Sequence, residues 1–155
     1  MEKLVVKRFC ELSIDELYAI LRHRSEIFIV EQDCVYQDLD DMDQGAVHLW
    51  IEVDGEMAAY ARVLAAGTYL DEVAIGRVIG IRRGQGYGLK IFGYAIDAAV
   101  KYYGAKRIKI RSQQQAEHFY EKFGFVRCGE PFMYEGLMHV DMVKENRGQR
   151  IENRE

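Results

Sequence analysis

A glycine-rich turn between an apolar strand and an amphipathic helix constrains this chain more than any other feature. Residues 73–81 are mostly apolar, glycines follow at 84, 86 and 88, and apolar residues then recur at helical spacing. Glycine lacks a Cβ and tolerates positive φ, so the backbone of such a turn can approach a ligand closely. The N-terminus of the following helix adds unpaired N–H groups and the positive end of its dipole. The turn therefore predicts a cradle for an anion, and a pyrophosphate is the ligand that suits it best.

Two common phosphate-binding motifs do not fit this turn. A P-loop needs a glycine directly before its lysine and a Ser or Thr after it, and Lys90 has neither. The third glycine of a Rossmann fingerprint would fall on Ile91. The pattern that fits is R-x-x-G-x-G, on Arg83, Gly86 and Gly88. Three fixed positions are a weak motif, so an ordinary strand–turn–helix stays open as the alternative.

The size and composition of the chain predict one globular domain without a nucleic-acid or membrane partner. At 155 residues it can bury a real core, and a net charge of -4 gives no general attraction for nucleic acid. No run of about 18 apolar residues occurs, and the first residues lack the apolar core of a signal peptide. The three cysteines form no CxxC motif, which favours reduced thiols in a cytoplasmic protein. We expect one domain over 1–145 and a polar, disordered tail over 146–155.

Capping, turn and apolar residues together predict an α+β fold. Ser13-Ile-Asp-Glu16 is a capping box that opens a helix continuing to about residue 32, and Asp54-Gly55 is a hairpin turn between two alternating segments. Further helices are expected from the glycine-rich turn to Gly104, and from Ser112-x-x-Gln115 to Gly124. Strands are expected at 3–9, 47–53, 57–64, 72–81, 106–111, 125–128 and 137–143. This order predicts a central mixed, mostly antiparallel sheet with helices on both faces.

A second motif follows the glycine-rich turn after one predicted strand. Residues 113–125 read Gln-x-x-Ala-x-x-Phe-Tyr-Glu-Lys-Phe-Gly-Phe. In this order and at this spacing, the two motifs resemble those of the GNAT superfamily of N-acetyltransferases, and the resemblance extends to about residue 144. Within the superfamily, segments 30–40, 60–63 and 75–78 are similar to the ElaA-like branch.

The resemblance implies a GNAT-type acyl-CoA N-acyltransferase fold and an acetyl-CoA-dependent N-acetyltransferase activity. Such an enzyme transfers the acetyl group of acetyl-CoA to a primary amine by direct attack in a ternary complex. Acetyl-CoA would be the co-substrate, no metal would be needed, and the acceptor would be a small molecule or a peptide. A non-catalytic module of the same fold that binds or senses acyl-CoA stays open as the alternative, and a homodimer is one oligomeric state that the sequence allows.

The implied acetyl-CoA site follows the strand, the turn and the second motif. The turn and the helix after it would hold the pyrophosphate, and the strand backbone at 78–80 would pair with the amide-rich pantetheine and offer an N–H to the thioester oxygen. Two departures from the superfamily are the short segment 80–82 before the turn and Gln113, which keeps an amide where Asn is usual. The implied cofactor-binding residues are Val78, Ile79, Gly80, Arg83, Gly84, Gln85, Gly86, Tyr87, Gly88, Gln113 and Phe119.

Tyr120 in the second motif is the general acid that the resemblance implies. A phenol with a pKa of about 10 can protonate the departing CoA thiolate, although an aromatic residue packed on a helix face would give the same pattern. The acceptor amine arrives protonated, and the candidate bases that could remove its proton are Glu31, Glu72 and His139. No sequence pattern chooses among these three.

An acidic segment, residues 31–43, contains six carboxylates. Its spacing does not match a calcium loop, because Met42 and Asp43 break the required pattern counted from Asp38. The segment is either solvated surface or part of the acceptor site, where it would attract a cationic amine. Nearby His48 is interpreted as a structural hydrogen-bonding residue.

Overall fold

A computed structural model describes residues 1–146 of the chain. Its α-helices are α1 Ile14–Arg24, α2 Tyr87–Tyr103 and α3 Glu117–Glu121. Its strands are β1 Glu2–Arg8, β2 Val47–Val53, β3 Glu56–Leu64, β4 Val73–Gly80, β5 Arg107–Gln113, β6 Val126–Arg127, β7 Phe132–Tyr134 and β8 Leu137–Glu145. The strands form one sheet in the order β1-β2-β3-β4-β5-β8-β6, and β7 also pairs with β8.

All strand pairs but one are antiparallel, which confirms the predicted mixed, mostly antiparallel sheet. The exception is the parallel pair of β4 and β5, which is short: Val73 lies opposite Ile108, and Ala74 lies opposite Lys109. Beyond these two positions β4 and β5 no longer pair. The sheet therefore has an opening between its two central strands.

Helices cover both faces of the sheet, as predicted. Alternate residues of β2 point to opposite faces, so Leu49 and Ile51 belong to the core under α2. Trp50 points the other way and packs with Ile20 of α1 in a second cluster. The two faces are thus stabilised by different helices.

The predicted local signals at Ser13 and Asp54 are confirmed. The Ser13 hydroxyl accepts a hydrogen bond from the Glu16 amide at 3.0 Å, which caps α1. Asp54 and Gly55 both have positive φ, 52° and 82°, in the two-residue turn between β2 and β3. After α1 the chain continues in π-helical geometry over Ser25–Glu31, a rare geometry that is often found beside functional sites.

The predicted helix start at Ser112 is wrong. Ser112 lies in β5, its side chain is buried, and its hydroxyl donates to the Gln113 carbonyl at 2.8 Å. β5 continues this far because Gln113 pairs with His139 of β8, so long-range pairing outweighs a local capping pattern. A 3-10 turn at Gln114–Ala116 follows, and α3 begins only after it.

Strand β7 is not among the strands predicted from the sequence. It forms a tight hairpin with β8, in which Glu135 and Gly136 take up the turn with φ of 51° and 81°. A Glu-Gly pair is a weaker hairpin signal than Asn-Gly or Asp-Gly, because Glu adopts positive φ less readily. The hairpin places Phe132 opposite His139, next to the opening in the sheet.

The predicted tail begins at Asn146, which is the last described residue. Its amide N–H donates to the Lys106 carbonyl at 2.8 Å, and its side chain is buried. The rest of the predicted tail, 147–155, lies outside the described residues. Within residues 1–146 no helix is long and apolar enough to cross a membrane.

Candidate active site

A cavity of about 320 Å³ occupies the opening between the two central strands. One wall is β4 at 74–78, and the opposite wall is β5 at 110–113. The acidic segment and the π-helical turn close one side, and the β7–β8 hairpin closes another. A cavity of this size, lined by aromatic rings and a few polar groups, suits a small molecule or the end of a longer one.

The glycine-rich turn has two features that an anion site would need. Gly84 and Gly86 have φ of 76° and 79°, in the left-handed region that favours glycine. Gly86 is the N-cap of α2 and carries no capping side chain, so the first N–H groups of this 17-residue helix are free to meet a ligand. The turn also lies close to β4, because a Cβ on Gly80 would come within 3.5 Å of the Gly88 nitrogen.

Arg83 beside this turn forms an exposed ion pair with Glu31, the last residue of the π-helical segment. The guanidinium is therefore positioned next to the free helix N-terminus. Glu31 pairs with Arg83 beside the glycine-rich turn and does not line the cavity. Gln85 is exposed in the same turn, and Tyr87 begins α2.

A β-bulge in β4 distorts the backbone where the thioester is expected. Tyr60 pairs with Ile79 and Arg62 with Gly76, so Arg77 and Val78 together oppose the single residue Ala61. Arg77 has φ of 52°, which is uncommon for a non-glycine residue and marks local strain. Val78 lines the cavity, whereas Ile79 is buried on the α1 face of the sheet.

Tyr120 of α3 lines the cavity beside β5. Its ring packs edge-on against Phe92 at 4.9 Å and Phe119 at 5.0 Å between centroids. Burial raises the pKa of the Tyr120 phenol to about 12, because the phenolate would lose hydration. The phenol is thus held in its protonated form at neutral pH, as a proton donor must be. Phe119 belongs to the same aromatic cluster and does not line the cavity.

Gln113 and His139 lie opposite each other on β5 and β8, and both line the cavity. The Gln113 amide donates to Oε1 of Gln32 at 3.1 Å, which ties β5 to the end of the π-helical segment. Nδ1 of His139 lies 2.9 Å from the Leu137 carbonyl oxygen. A carbonyl only accepts, so Nδ1 carries the hydrogen and Nε2 of the neutral ring keeps its lone pair.

The structure separates the three candidate bases. His139 lines the cavity, and Glu31 pairs with Arg83 beside the turn. Glu72 lies outside the cavity, where it forms ion pairs with Arg107 at 3.2 Å and Lys109 at 4.0 Å. His139 is therefore the only one of the three next to Tyr120 and Gln113.

A buried charge network holds the acidic segment in place. Arg24 of α1 is fully buried and contacts Asp38 at 3.1 Å and Asp43 at 2.7 Å. Arg62 of β3 also contacts Asp43 at 2.7 Å and forms a bidentate pair with Asp40. Burial of the Asp40 carboxyl opposes its ionisation, but Arg62 and Arg77 outweigh this and lower its pKa to about 2.

These ion pairs revise the expectation for the acidic segment. Asp38, Asp40 and Asp43 are each paired with arginine, so they form no free acidic field for a cationic acceptor. His48 has the predicted structural role: Nε2 donates to the Asp43 carbonyl at 2.9 Å, and Nδ1 accepts from the Tyr60 hydroxyl at 2.6 Å. Burial lowers the pKa of His48, which favours the neutral ring that these bonds require.

An arginine enclosed by aromatic rings forms the far wall of the cavity. Arg111 of β5 forms a bidentate pair with Asp141 of β8, with distances of 2.8 and 3.1 Å. Its guanidinium lies 4.9 to 5.3 Å from the ring centres of Tyr69, Phe132 and Tyr134. This wall could not be predicted from local sequence patterns, because its members come from four separate segments of the chain. Within residues 1–146, no group of three His, Cys, Asp or Glu side chains is arranged to hold a metal ion.

Comparison with protein families places the chain among acetyltransferases. Residues 19–146 match the acetyltransferase (GNAT) domain. The chain is 34% identical to the protein ElaA of Escherichia coli strain K12 over 139 residues, which cover 87% of this chain and 91% of ElaA.

Solved structures agree with the sequence comparison. The crystal structure of Escherichia coli ElaA has a TM-score of 0.86 and 32% identity, covering 94% of this chain and 100% of that one. An acyl-CoA N-acyltransferase from Pseudomonas aeruginosa also has a TM-score of 0.86 and 32% identity, covering 93% of this chain and 99% of that one. The fold described above is thus the GNAT acyl-CoA N-acyltransferase fold, as the two sequence motifs predicted.

Proposed function

Because the chain belongs to the GNAT acetyltransferase family, we propose that it transfers the acetyl group of acetyl-CoA to a primary amine by direct attack in a ternary complex. The family and the fold support an acyltransferase role. The observation that carries the finer proposal is the cavity between β4 and β5, in which Val78, Gln113, Tyr120 and His139 meet.

The two substrates would enter this cavity from different sides. The pyrophosphate of CoA would bind at the free N–H groups of α2, near Arg83, and pantetheine would pair with the end of β4. The bulge at Arg77 and Val78 interrupts the regular pairing with β3, and a backbone N–H at this bulge would stabilise the oxyanion of the thioester. The acceptor amine would approach from the side of the acidic segment and the β7–β8 hairpin.

The cavity contains one group that could accept a proton and one that could donate a proton, as direct attack requires. Nε2 of His139 has a free lone pair and would take a proton from the acceptor ammonium, directly or through water. The amine then attacks the thioester carbonyl carbon, and the C–S bond breaks as the tetrahedral intermediate collapses. Tyr120 would give its proton to the departing thiolate, and the nitrogen, which loses its second proton as the amide forms, would return a proton to Tyr120 directly or through water.

A panel of primary amines tests this proposal, with release of the CoA thiol as the signal and the mass of the acetylated product as confirmation. We expect release that requires both acetyl-CoA and an amine. If acetyl-CoA binds but no amine in the panel increases thiol release, the chain is instead a non-catalytic acyl-CoA-binding module.

A further inference from the structure

The charged side chains around the acceptor side of the cavity are unevenly distributed. The arginines Arg62, Arg77 and Arg111 all line it. Three of their carboxylate partners, Asp38, Asp43 and Asp141, do not line the cavity. The lining carboxylates are Asp40, which is held between two arginines, and the exposed turn residue Glu135. The cavity wall is therefore rich in guanidinium N–H donors.

Arg77 has an amino group that makes no hydrogen bond to the rest of the described chain. Its Nε forms an ion pair with Asp38 at 2.8 Å that lacks hydrogen-bond geometry, and its Nη2 donates to the Asp38 carbonyl at 2.9 Å and to Asp40 at 3.2 Å. Within residues 1–146 no group accepts a hydrogen bond from Nη1, and Nη1 is not among the fully buried polar atoms that lack a partner. Nη1 is thus not fully buried, and the rest of the guanidinium is held by its contacts with Asp38 and Asp40.

The surroundings of Arg77 place this donor near the reacting atoms. Arg77 directly precedes Val78 in the β4 bulge, and its guanidinium lies 5.9 Å from the ring centres of Phe28 and Tyr36, which also line the cavity. A residue held at positive φ by a bulge is typical of a functional position. The ion pairs and the bulge together hold the side chain ready to meet a ligand.

We propose that Arg77 binds the carboxylate of the acceptor, so that the acceptors are amines that also carry a carboxylate, as amino acids do, and not polyamines. This inference rests on the proposed function and names its second substrate. A guanidinium recognises a carboxylate through charge-assisted hydrogen bonds. Because Arg77 adjoins the residue expected at the thioester, the amine and the carboxylate would belong to the same small molecule.

Pairs of acceptors that differ by one carboxylate test the proposal. The pairs are lysine with cadaverine, and phenylalanine with 2-phenylethylamine, each assayed with the full-length protein and acetyl-CoA. We expect kcat/KM to be roughly tenfold or more higher for the amino acid of each pair, since a hydrogen bond to a charged group has about that effect. Equal values, or higher values for cadaverine, would overturn the proposal.

Three variants show whether Arg77 is responsible. In Arg77→Gln the ratio of the two kcat/KM values should fall to about one, and in Arg77→Lys, which keeps the charge, part of the ratio should remain. Arg107→Gln changes an arginine outside the cavity and should leave the ratio unchanged. A ratio that survives in Arg77→Gln, with a melting temperature showing that the variant is folded, would exclude Arg77.

Failure of the proposed function would give a different result. In that case no amine of either kind would be acetylated although acetyl-CoA binds. Calorimetry with the CoA-saturated protein then tests the carboxylate site independently of catalysis. Phenylalanine should bind and 2-phenylethylamine should not. Equal binding of the two, or binding of neither, would contradict a carboxylate site at Arg77.

Discussion

At the scale of single residues, burial determines the pKa of Tyr120, the proposed general acid. Tyr120 packs among phenylalanines, and the resulting loss of hydration raises its pKa to about 12. A higher pKa makes the phenol a weaker acid, but it also keeps the proton in place until the thiolate forms. The same aromatic contacts hold the ring, so position and protonation state have one physical cause.

We expect Tyr120→Phe to lower kcat by about 10²- to 10⁴-fold, which is the usual cost of losing a general acid. The substitution removes one oxygen and keeps the ring, so the packing against Phe92 and the affinity for acetyl-CoA should change little. The wild-type kcat should not decline below about pH 10 through Tyr120, because its folded pKa lies above that value. Steady-state kinetics under conditions in which chemistry limits the rate make this measurement. A variant with full kcat would show that Tyr120 only packs.

The buried arginines give a second prediction at this scale. Arg24→Met leaves Asp38 and Asp43 without one of their partners in a buried site, and breaking such a pair typically costs about 3–5 kcal/mol of unfolding free energy. Arg107→Met breaks exposed ion pairs instead and should cost less than about 1 kcal/mol. Denaturant unfolding of both variants provides the comparison. If both variants lost the same unfolding free energy, the buried ion pairs would contribute no more to the stability of the protein than the exposed ones.

At the scale of elements, the junction of β4 with α2 would determine where acetyl-CoA binds. Strand, turn and helix follow each other without an extra segment, and the positive φ of Gly84 and Gly86 directs the chain around the helix N-terminus. The N–H groups at that end have no capping side chain among the described residues, so they could donate hydrogen bonds to a bound anion.

We expect Gly86→Val to abolish or strongly weaken acetyl-CoA binding while the fold persists. Nothing lies within 4 Å of a Cβ built at Gly86, so the internal cost is that of a left-handed residue, about 1–2 kcal/mol. Gly67→Val is the matched control, because Gly67 has a similar φ of 83°, equally open surroundings and a place in a turn before β4. Calorimetry should show a loss of affinity in the first variant only. Equal affinities in the two would remove the basis for this site.

The elements also show what the sequence could and could not predict. The capping box at Ser13, the turn at Asp54 and the glycine-rich turn act over a few residues, and each could be recognised locally. The helix start at Ser112 was misplaced because pairing with β8 extends β5, which is a non-local effect. The ion pairs of the acidic segment were missed for the same reason: Asp40 and Arg62 are 22 positions apart in the chain.

At the scale of the whole molecule, one departure from regular pairing creates the site. A sheet in which β4 and β5 paired along their full length would have no cavity at its centre. In the proposed mechanism one substrate would enter beside α2 and the other beside the acidic segment, and both would reach the β4 bulge. Two such entrances would make a covalent acetyl intermediate unnecessary.

Initial rates measured while both acetyl-CoA and the best amine of the panel are varied test this account most directly. Direct attack in a ternary complex predicts double-reciprocal lines that intersect, with thiol release and acetylated amine formed in equal amounts. Parallel lines would indicate an acetylated protein intermediate and contradict direct attack. Thiol release that does not depend on the amine would contradict the transferase itself.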